Sequence, residues 1–419
     1  MSEEFSFMNE KIKGKPFYKR RWVQIAAAIV GIAVLSASVS CIVFMKMYAW
    51  MEEKQEQKAI QNIEIPQDTS EEDIQSELSV SEETVQTPET IVVENEITLE
   101  DYSTMYAQLR ELEEETKKSI VTVTALNNDV DWFNESYQSK GQSTGMIIGD
   151  NGVELLILAQ YAAVQACDGI HVTFVDDTVV TAALKKYDLT TGLAVISVNL
   201  SDIPEKTNAL ITNATLGNSV VLKAGTPVLA IGRADGNEDS MEIGILTSVN
   251  NHPSVVDAEY EILATDLIKN KGADGVLVNL KGEVIGIIQE KYLTDQMSGV
   301  LSAYAISDIK SLMERLSNNQ DVTYLGIKGT SVTEEAKDKG VPSGVYVTEV
   351  EMDSPAMRGG IQSGDVLQKI NGQEIHSMTE LSNVLQRLSD KQNISLEGQR
   401  LTKDGYKKIS YETSLSVLE

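Results

Sequence analysis

The chain has 419 residues, too many for one ordinary domain, and its hydrophobic content of 42% is typical of folded proteins with sizeable cores. Its formal net charge of -28 argues against binding to the phosphate backbone of nucleic acids, so we expect no nucleic-acid partner. Two distant cysteines, Cys41 and Cys167, and three histidines argue against a disulfide framework and a metal site. We therefore predict neither a metal nor a cofactor.

The first predicted element is a transmembrane helix over residues 23–45, VQIAAAIVGIAVLSASVSCIVFM. This stretch carries no charge and is long enough, at about 1.5 Å per residue, to cross a ~30 Å hydrocarbon core. Residues 1–22 form a basic tail before it, and Glu52 and Glu53 follow it. The positive-inside rule therefore places the N-terminus in the cytoplasm and the later domains outside the cell membrane.

A cleaved signal peptide is the alternative interpretation, because the small residues Ser38 and Ser40 stand just before Cys41. The apolar run continues past that point and exceeds a signal core in length, which favours a retained anchor. A lipoprotein site at Cys41 fits less well, since Ser38 stands where a large aliphatic residue is expected.

Residues 52–99 are predicted to be an acidic disordered linker. They include Pro66 and Pro88 and hold almost no aromatic side chains, so they cannot bury enough apolar surface to fold. Such a linker would be a solvated spacer between the membrane and a folded head. Binding of calcium or of a partner by the acidic residues is the alternative.

From residue 100, apolar side chains recur at three- and four-residue spacing, which predicts an amphipathic helix that opens the first domain. They are Tyr102, Met105, Tyr106, Leu109 and Leu112. Beyond this helix, short apolar or alternating segments predict the strands of an all-β barrel domain. These segments are SIVTVTA from Ser119, GMIIG from Gly145, IHVTFV from Ile170, LAVISV from Leu193, TPVLAIG from Thr226 and MEIGILTSV from Met241.

The last part of the chain mixes strands with helices. YLGIKGTSV and GVYVTEV predict strands, and DSPAMRGGI predicts a short helix capped by Ser354 with Pro355 at its first position. DVLQKINGQEI predicts two strands joined at an Asn371-Gly372 turn. The segment TELSNVLQRL predicts a helix with an apolar face made of Leu381, Val384, Leu385 and Leu388.

Together, these segments resemble the HtrA (DegP-like) family over roughly residues 105–416. The segments SIVTV, STGMII, DLTTGLAVI, ATLGNS, GTPVLAIG and VNLKGEVIGI occur in family order, and YLGI, the SPA turn and INGQ follow with the family's spacing. The resemblance implies a mostly β fold, with a trypsin-like double β-barrel over residues 100–317 and an α/β PDZ domain over 322–416. It also implies a homo- or hetero-oligomer, a trimer by family analogy.

The chemistry of that family needs a serine nucleophile, a histidine base and an aspartate that orients the histidine. The resemblance puts the histidine position at Ala162, the aspartate position at Gly192 and the serine position at Ala273. None of these side chains can accept, donate or hold a proton, so we predict a degenerate triad. Lys271 replaces the family's glycine two places before the nucleophile and disfavours the positive φ that the oxyanion hole uses.

No other residues indicate a relocated peptidase site. His171 lies in a predicted strand and His252 in a predicted turn. No G-x-S-x-G elbow occurs, and Lys269 and Lys271 have no serine beside them for a Ser-Lys pair.

The resemblance assigns a peptide-binding site to the PDZ domain. Tyr324, Leu325, Gly326 and Ile327 match the loop and strand that receive a terminal carboxylate and an extended peptide. Ile327 would line the hydrophobic groove, together with the helix side chains of Leu381, Val384 and Leu385. The alternative is that these apolar side chains are simply PDZ core.

We therefore predict a membrane-anchored, extracytoplasmic pseudoprotease that binds C-terminal or unfolded protein segments as a sensor or adaptor. Its other partner would be the lipid bilayer, through residues 23–45. The alternative is an active HtrA-type serine endopeptidase in protein quality control, with a relocated or trans-supplied catalytic site. A third possibility is a structural role at the cell envelope without peptide binding.

Overall fold

The computed structural model describes residues 60–68, 98–130, 136–249, 251–289, 291 and 299–418. The predicted basic tail and transmembrane helix lie outside the described residues, as does most of the predicted linker. Within the described ranges, no helix is long and apolar enough to cross a membrane. All of these residues belong to one compact unit that begins at Ile60.

The first part of the unit consists of a long helix followed by the strands and short helices of one barrel. In chain order these are α1 (Leu99–Lys117), β1 (Ile120–Val130), β2 (Ser136–Asp150), β3 (Glu154–Gln160), α2 (Tyr161–Val164), β4 (Gly169–Thr173), β5 (Val179–Asp188), β6 (Leu193–Asn199) and α3 (Glu205–Asn208). The strands close in the order β1-β2-β3-β6-β5-β4.

A second barrel and a small hairpin follow. Their elements are β7 (Pro227–Arg233), β8 (Ser240–Ser248), β9 (Ser254–Val255), β10 (Ala258–Glu259), β11 (Ile262–Ile268), β12 (Asp274–Val278), β13 (Val284–Ile288), β14 (Val300–Ala305) and α4 (Ile306–Ser317). The barrel closes in the order β11-β14-β13-β12-β7-β8, and β9 and β10 pair separately as an antiparallel hairpin. The predicted double β-barrel is confirmed.

The last part is the predicted PDZ domain, with a sheet ordered β16-β17-β18-β20-β21. Its elements are β15 (Thr323–Tyr324), β16 (Ile327–Ser331), α5 (Glu334–Asp338), β17 (Val345–Val350), α6 (Pro355–Gly359), β18 (Asp365–Ile370), β19 (Gln373–Glu374), α7 (Met378–Leu385), β20 (Asn393–Thr402), β21 (Gly405–Ser414) and β22 (Ser416–Val417).

Local sequence signals place most element ends. Thr98 caps α1 through a capping box with Asp101, and Ser354 caps α6 by accepting a hydrogen bond from the Met357 amide at 3.0 Å. The helix α7 is shorter than predicted. It ends at Leu385, and Leu388 lies beyond its C-terminus. The side chain of Leu388 still packs against the PDZ core, since the chain turns back onto that core after the helix.

The predicted amphipathic helix is confirmed as α1, but only part of its apolar face is covered. Leu109 and Leu112 pack against the core between the two barrels. Tyr102, Met105 and Tyr106 are exposed, because the first half of the helix extends beyond the barrels.

The prediction of disorder throughout residues 52–99 is wrong for residues 60–68, which pack against α4. Ile65 is buried, and its amide donates to a Glu314 carboxylate oxygen at 3.1 Å. The amide and carbonyl of Ile63 both bond to the Asn318 side chain. The prediction of disorder rested on the average composition of the whole acidic segment. The alternating isoleucines of this short stretch instead pack on an apolar surface that a distant part of the chain provides.

A nearly buried ion pair fastens the end of this stretch. Lys310 Nζ lies 2.7 Å from an Asp68 carboxylate oxygen, and the Ser307 hydroxyl donates to the same carboxylate at 2.6 Å. Replacing Lys310 by methionine is expected to lower the free energy of unfolding by about 3 kcal/mol, since Asp68 would lose its cation. The exposed pair of Lys337 and Glu334 provides the control, and Lys337→Met should change stability by less than about 1 kcal/mol.

Urea denaturation measures this difference, and hydrogen exchange locates it. The amides of Ile63 and Ile65 should exchange faster in Lys310→Met than in the wild-type protein. Unchanged exchange at these amides would show that the ion pair does not hold the segment.

Candidate functional site

Two of the three predicted triad positions lie side by side in the first barrel. Ala162 is exposed on α2, directly after β3, and Gly192 stands at the end of the turn before β6. The Tyr161 amide donates to the Gly192 carbonyl at 2.8 Å, which joins the two positions through the backbone. Neither side chain offers a group that could hold or move a proton.

A lysine stands beside the predicted aspartate position. A Cβ built on Gly192 would lie 3.9 Å from the side chain of Lys291, whose ammonium donates to the Leu189 carbonyl. Burial lowers the pKa of Lys291, with an opposing influence from Asp188. The lysine thus bonds to the backbone of the turn before Gly192.

The third position, Ala273, is buried in the apolar core of the second barrel. Its amide donates to the Asn270 carbonyl at 3.1 Å within its own loop. Left-handed φ occurs at Gly272 (φ 77°) and not at Lys271. An oxyanion hole needs backbone amides aimed at a substrate oxygen, whereas the amide of Ala273 is already bonded to its own loop.

Asp274, which was not identified from the sequence, links the two barrels at this point. Its carboxylate accepts a hydrogen bond from the Thr144 hydroxyl at 2.6 Å and from the Thr144 amide at 3.1 Å. Burial raises the pKa of Asp274, while the bonds from Thr144 and the charge of Arg233 oppose this rise. The available signal for Asp274 was its charge within a buried strand. Its partner could not be identified from the sequence, because Thr144 lies 130 residues away in the chain.

The predicted carboxylate-binding loop of the PDZ domain connects β15 to β16. Gly326 has φ 90°, and a Cβ at this position would stand 2.2 Å from the Cβ of Ser354. Only glycine fits there without displacing α6, so the loop depends on this residue. Tyr324 is half-buried beside it, and burial raises the pKa of its phenol.

The amides of this loop converge on one carboxylate, that of Asp257 in the β9–β10 hairpin. Leu325 N and Gly326 N lie 2.7 Å and 2.8 Å from Asp257 Oδ2, and Ile327 N lies 3.0 Å from Oδ1. The Asp257 amide donates in turn to the Ile327 carbonyl at 2.8 Å. The carboxylate on this loop therefore comes from the chain itself, and binding of a peptide terminus there stays a prediction.

The four predicted groove side chains belong to the apolar core of the PDZ domain. Ile327, Leu381 and Leu385 are almost fully buried, and Val384 is 9% exposed. Their contact with a peptide stays a prediction. The β9–β10 hairpin lies against this region, with β9 in contact with β16 and β10 in contact with α7.

A cavity of about 360 Å³ adjoins the hairpin. It is bordered by Asp257 and Val256 on the hairpin, by Tyr324 and Leu385 of the PDZ domain, and by residues 186–190, which form the end of β5 and the start of the turn after it. In the described part of the chain, no three His, Cys, Asp or Glu side chains come together as they would around a metal ion.

Similarity to known proteins agrees with this architecture. A model of the trypsin-like peptidase domain matches residues 143–287, and a PDZ domain model matches residues 346–400. The fold is similar to the solved HtrA-type protease AlgW with decapeptide, with a TM-score of 0.55 and 22% identity. That similarity covers 75% of this chain and 99% of the AlgW chain.

Similar sequences come from several bacteria. A probable periplasmic serine endoprotease DegP-like of Hahella chejuensis is 32% identical over 280 residues, which cover 64% of this chain and 57% of the relative. Serine protease Do-like HtrA of Bacillus subtilis is 24% identical over 306 residues, which cover 68% of this chain and 65% of the relative. The chain thus matches between about half and two thirds of these relatives' own length. The trypsin-like and PDZ models in this order, together with the DegP-like and HtrA relatives, show that the chain belongs to the HtrA family.

Proposed function

We propose that this protein is a non-catalytic member of its family that binds peptide C-termini or unfolded segments through its PDZ domain. The observation that carries the proposal is the convergence of the Leu325, Gly326 and Ile327 amides on a carboxylate. Three amides aimed at two oxygens form the kind of site that receives the terminal carboxylate of a peptide.

The lack of peptidase activity is proposed from the residues at the triad positions. Ala162, Gly192 and Ala273 have neither a nucleophile nor a base, and the family mechanism needs both. The negative φ of Lys271 and the internally bonded amide of Ala273 support the same conclusion, because they leave no preformed oxyanion hole at this loop.

The peptide would bind as an added strand beside β16, with its carboxylate in the loop. Main-chain hydrogen bonds would supply most of the affinity, and the apolar surroundings of Ile327 and Leu385 would favour an apolar last residue. The AlgW structure with decapeptide is consistent with peptide binding by a relative of this fold.

We also propose that the protein is anchored in the cell membrane by residues 23–45, with its barrels and PDZ domain on the outer side. The support is the uncharged apolar run and the basic residues that precede it. A sensor or adaptor at this place would hold exposed chain ends close to the membrane.

Two measurements on the purified full chain in detergent test the proposal. A fluorophosphonate probe should leave the protein unlabelled while it labels trypsin in the same tube. Decapeptides with a free C-terminal carboxylate should bind saturably in fluorescence anisotropy, and the same peptides with a C-terminal carboxamide should bind at least tenfold more weakly.

Covalent labelling of this chain by the probe would contradict the non-catalytic assignment. Equal binding of the acid and amide peptides would contradict the carboxylate site. Complete absence of saturable binding would favour a structural role at the cell envelope instead.

A further inference from the structure

The β9–β10 hairpin occupies the peptide site of its own PDZ domain in the way a ligand would. It lies between β16 and α7, the two elements that border a PDZ groove. Two groups of Asp257 bond to the loop as the end of a peptide would. Its carboxylate accepts hydrogen bonds from the loop amides, and its main-chain amide donates to the Ile327 carbonyl.

The hairpin is built to present this carboxylate. Val256 and Asp257 form the two-residue turn between its strands, and Asp257 adopts φ 58° in the left-handed region. Aspartate tolerates that conformation better than most residues. The two neighbours Val255 and Ala258 are buried in the core between the barrels, so the turn projects from a fixed base.

Three amides donate to the Asp257 carboxylate, which favours its charged form. Burial raises the pKa of Asp257 to about 6, with a further rise from the carboxylate of Glu351 and an opposing influence of the three loop amides. A carboxylate oxygen of Glu351 lies 3.1 Å from Lys328 Nζ, which also pairs with Glu349. A peptide terminus and the Asp257 side chain therefore compete for the same amides with the same kind of group.

Resting on the function proposed above, we propose that Asp257 is an internal ligand of the PDZ domain, which a peptide C-terminus must displace in order to bind. Burial raises the pKa of Asp257 and so offsets part of what the three loop amides contribute, a cost that a released and hydrated side chain does not bear. An extended peptide has an advantage as well, because it would pair along β16, whereas the hairpin bonds to this strand through a single main-chain amide at Ile327.

Only molecules whose loop is open can bind a peptide. The apparent affinity for every peptide therefore equals the intrinsic affinity multiplied by the fraction of molecules with an open loop. The internal ligand would thereby raise the peptide concentration at which the site fills, so that weak ligands stay unbound at concentrations at which strong ligands bind. Displacement would also free the hairpin from the PDZ domain. Peptide binding to the PDZ domain would in this way affect the barrels, to which the hairpin is attached.

The test uses Asp257→Gly, which removes the carboxylate while glycine keeps the left-handed turn. Asp257→Asn is the second variant and keeps the size and turn preference without the charge. The matched control is Asp177→Gly, because Asp177 is an exposed turn residue of the first barrel with φ 63°. All three are compared with the full wild-type chain in detergent, after circular dichroism has established that they fold.

The probes are labelled decapeptides of one common sequence that end in Val, Leu, Ile or Phe, as free acids and as carboxamides. Asp257→Gly is expected to bind the free acids at least tenfold more tightly than the wild type, with Asp257→Asn in between. Asp177→Gly should bind like the wild type. Without peptide, the amides of Leu325, Gly326 and Ile327 should exchange hydrogen faster in Asp257→Gly.

Each outcome separates this proposal from the function on which it rests. Carboxylate-dependent binding with equal affinity in the wild type and both Asp257 variants would overturn the internal ligand and leave peptide binding intact. Folded variants that all fail to bind any free acid would overturn the peptide-binding function itself, and the internal ligand with it. Binding of the free acids that tightens most in Asp257→Gly, less in Asp257→Asn and not in Asp177→Gly supports both.

Discussion

Replacing Gly275 by alanine is expected to destabilise the second barrel by more than about 4 kcal/mol. Gly275 has φ 127°, and a Cβ there would stand only 2.2 Å from the carbonyl oxygen of Ile231. That oxygen belongs to β7, which pairs with β12 through Gly232 opposite Gly275. The Ile231 carbonyl and the backbone that would carry the new Cβ both belong to strands of a closed barrel. Neither can shift without a large energetic cost.

Thermal unfolding followed by circular dichroism measures this loss. A fall of the midpoint by about 10 °C or more is expected, since about 1 kcal/mol shifts a domain of this size by 2–4 °C. Gly169→Ala is the control, because its Cβ would meet no heavy atom within 4 Å and its φ is not left-handed. A midpoint for Gly275→Ala that stays close to that of Gly169→Ala would refute the argument from close approach.

The same close approach shapes the loop at the predicted serine position. Gly275 follows Asp274 directly, and a Cβ on Gly232 would stand 2.7 Å from Thr144, the partner of Asp274. Two glycines and one carboxylate thus bring strands of both barrels together next to Ala273. The loop is held as a structural junction even though its central residue has no reactive group.

Replacing Asp365 by alanine is expected to cost about 3–5 kcal/mol, because it would leave a buried network of hydrogen bonds without its acceptor. The Asp365 side chain is fully buried and accepts hydrogen bonds from Arg400 Nε at 2.6 Å, from the Tyr411 hydroxyl at 2.6 Å and from the Gln362 amide at 2.8 Å. It therefore joins β18 to β20 and β21 inside the PDZ domain. Loss of the PDZ domain's protection from hydrogen exchange, with the barrels unchanged, is the expected signature.

The contribution of Asp365 should depend on pH. Burial raises its pKa, but the hydrogen bonds from Arg400 and Tyr411 outweigh burial and leave the pKa below its usual value of 3.8. A lowered pKa in the folded state means that the stabilisation is present above pH 3.8 and is lost as the pH falls through the lowered value. The difference in unfolding free energy between wild type and Asp365→Asn should therefore be constant near pH 7 and shrink below about pH 4.

An exposed ion pair in the same sheet provides the control. Asp404 and Lys407 lie 3.0 Å apart, and their side chains are 79% and 59% exposed. Asp404→Ala should change stability by less than about 1 kcal/mol at any pH between 4 and 8. A loss in Asp365→Ala no larger than this would mean that the buried network does not stabilise the PDZ domain.

Much of the fold could be predicted because its signals are local. Ser354 and Pro355 start α6 as expected, and Asn371 and Gly372 both adopt the positive φ that a tight turn between β18 and β19 needs. Period-two segments became strands, and the resemblance to the HtrA family, which rests on the order of those segments, implied the two barrels and the PDZ domain. The caps, turns and strand periods depend on neighbours within a few residues, so they can be read directly from the sequence.

The contacts that decide the candidate site are not local. Asp257 reaches the PDZ loop across 68 residues, and Asp274 reaches Thr144 across 130. Read alone, each aspartate looks like an ordinary turn or surface residue. The packing of residues 60–68 was missed for the same reason, since their partners at the end of α4 lie 249 and 255 residues away in the chain.

The sequence by itself determined that the predicted triad positions carry Ala162, Gly192 and Ala273 and that a glycine-containing loop precedes the first long strand of the PDZ domain. Side-chain chemistry is a property of residue type, so no folding step can add a nucleophile to an alanine. Only the tertiary structure decided what occupies that loop. The amides of Leu325, Gly326 and Ile327 need an acceptor once they are buried, and the fold meets that need with the carboxylate of Asp257.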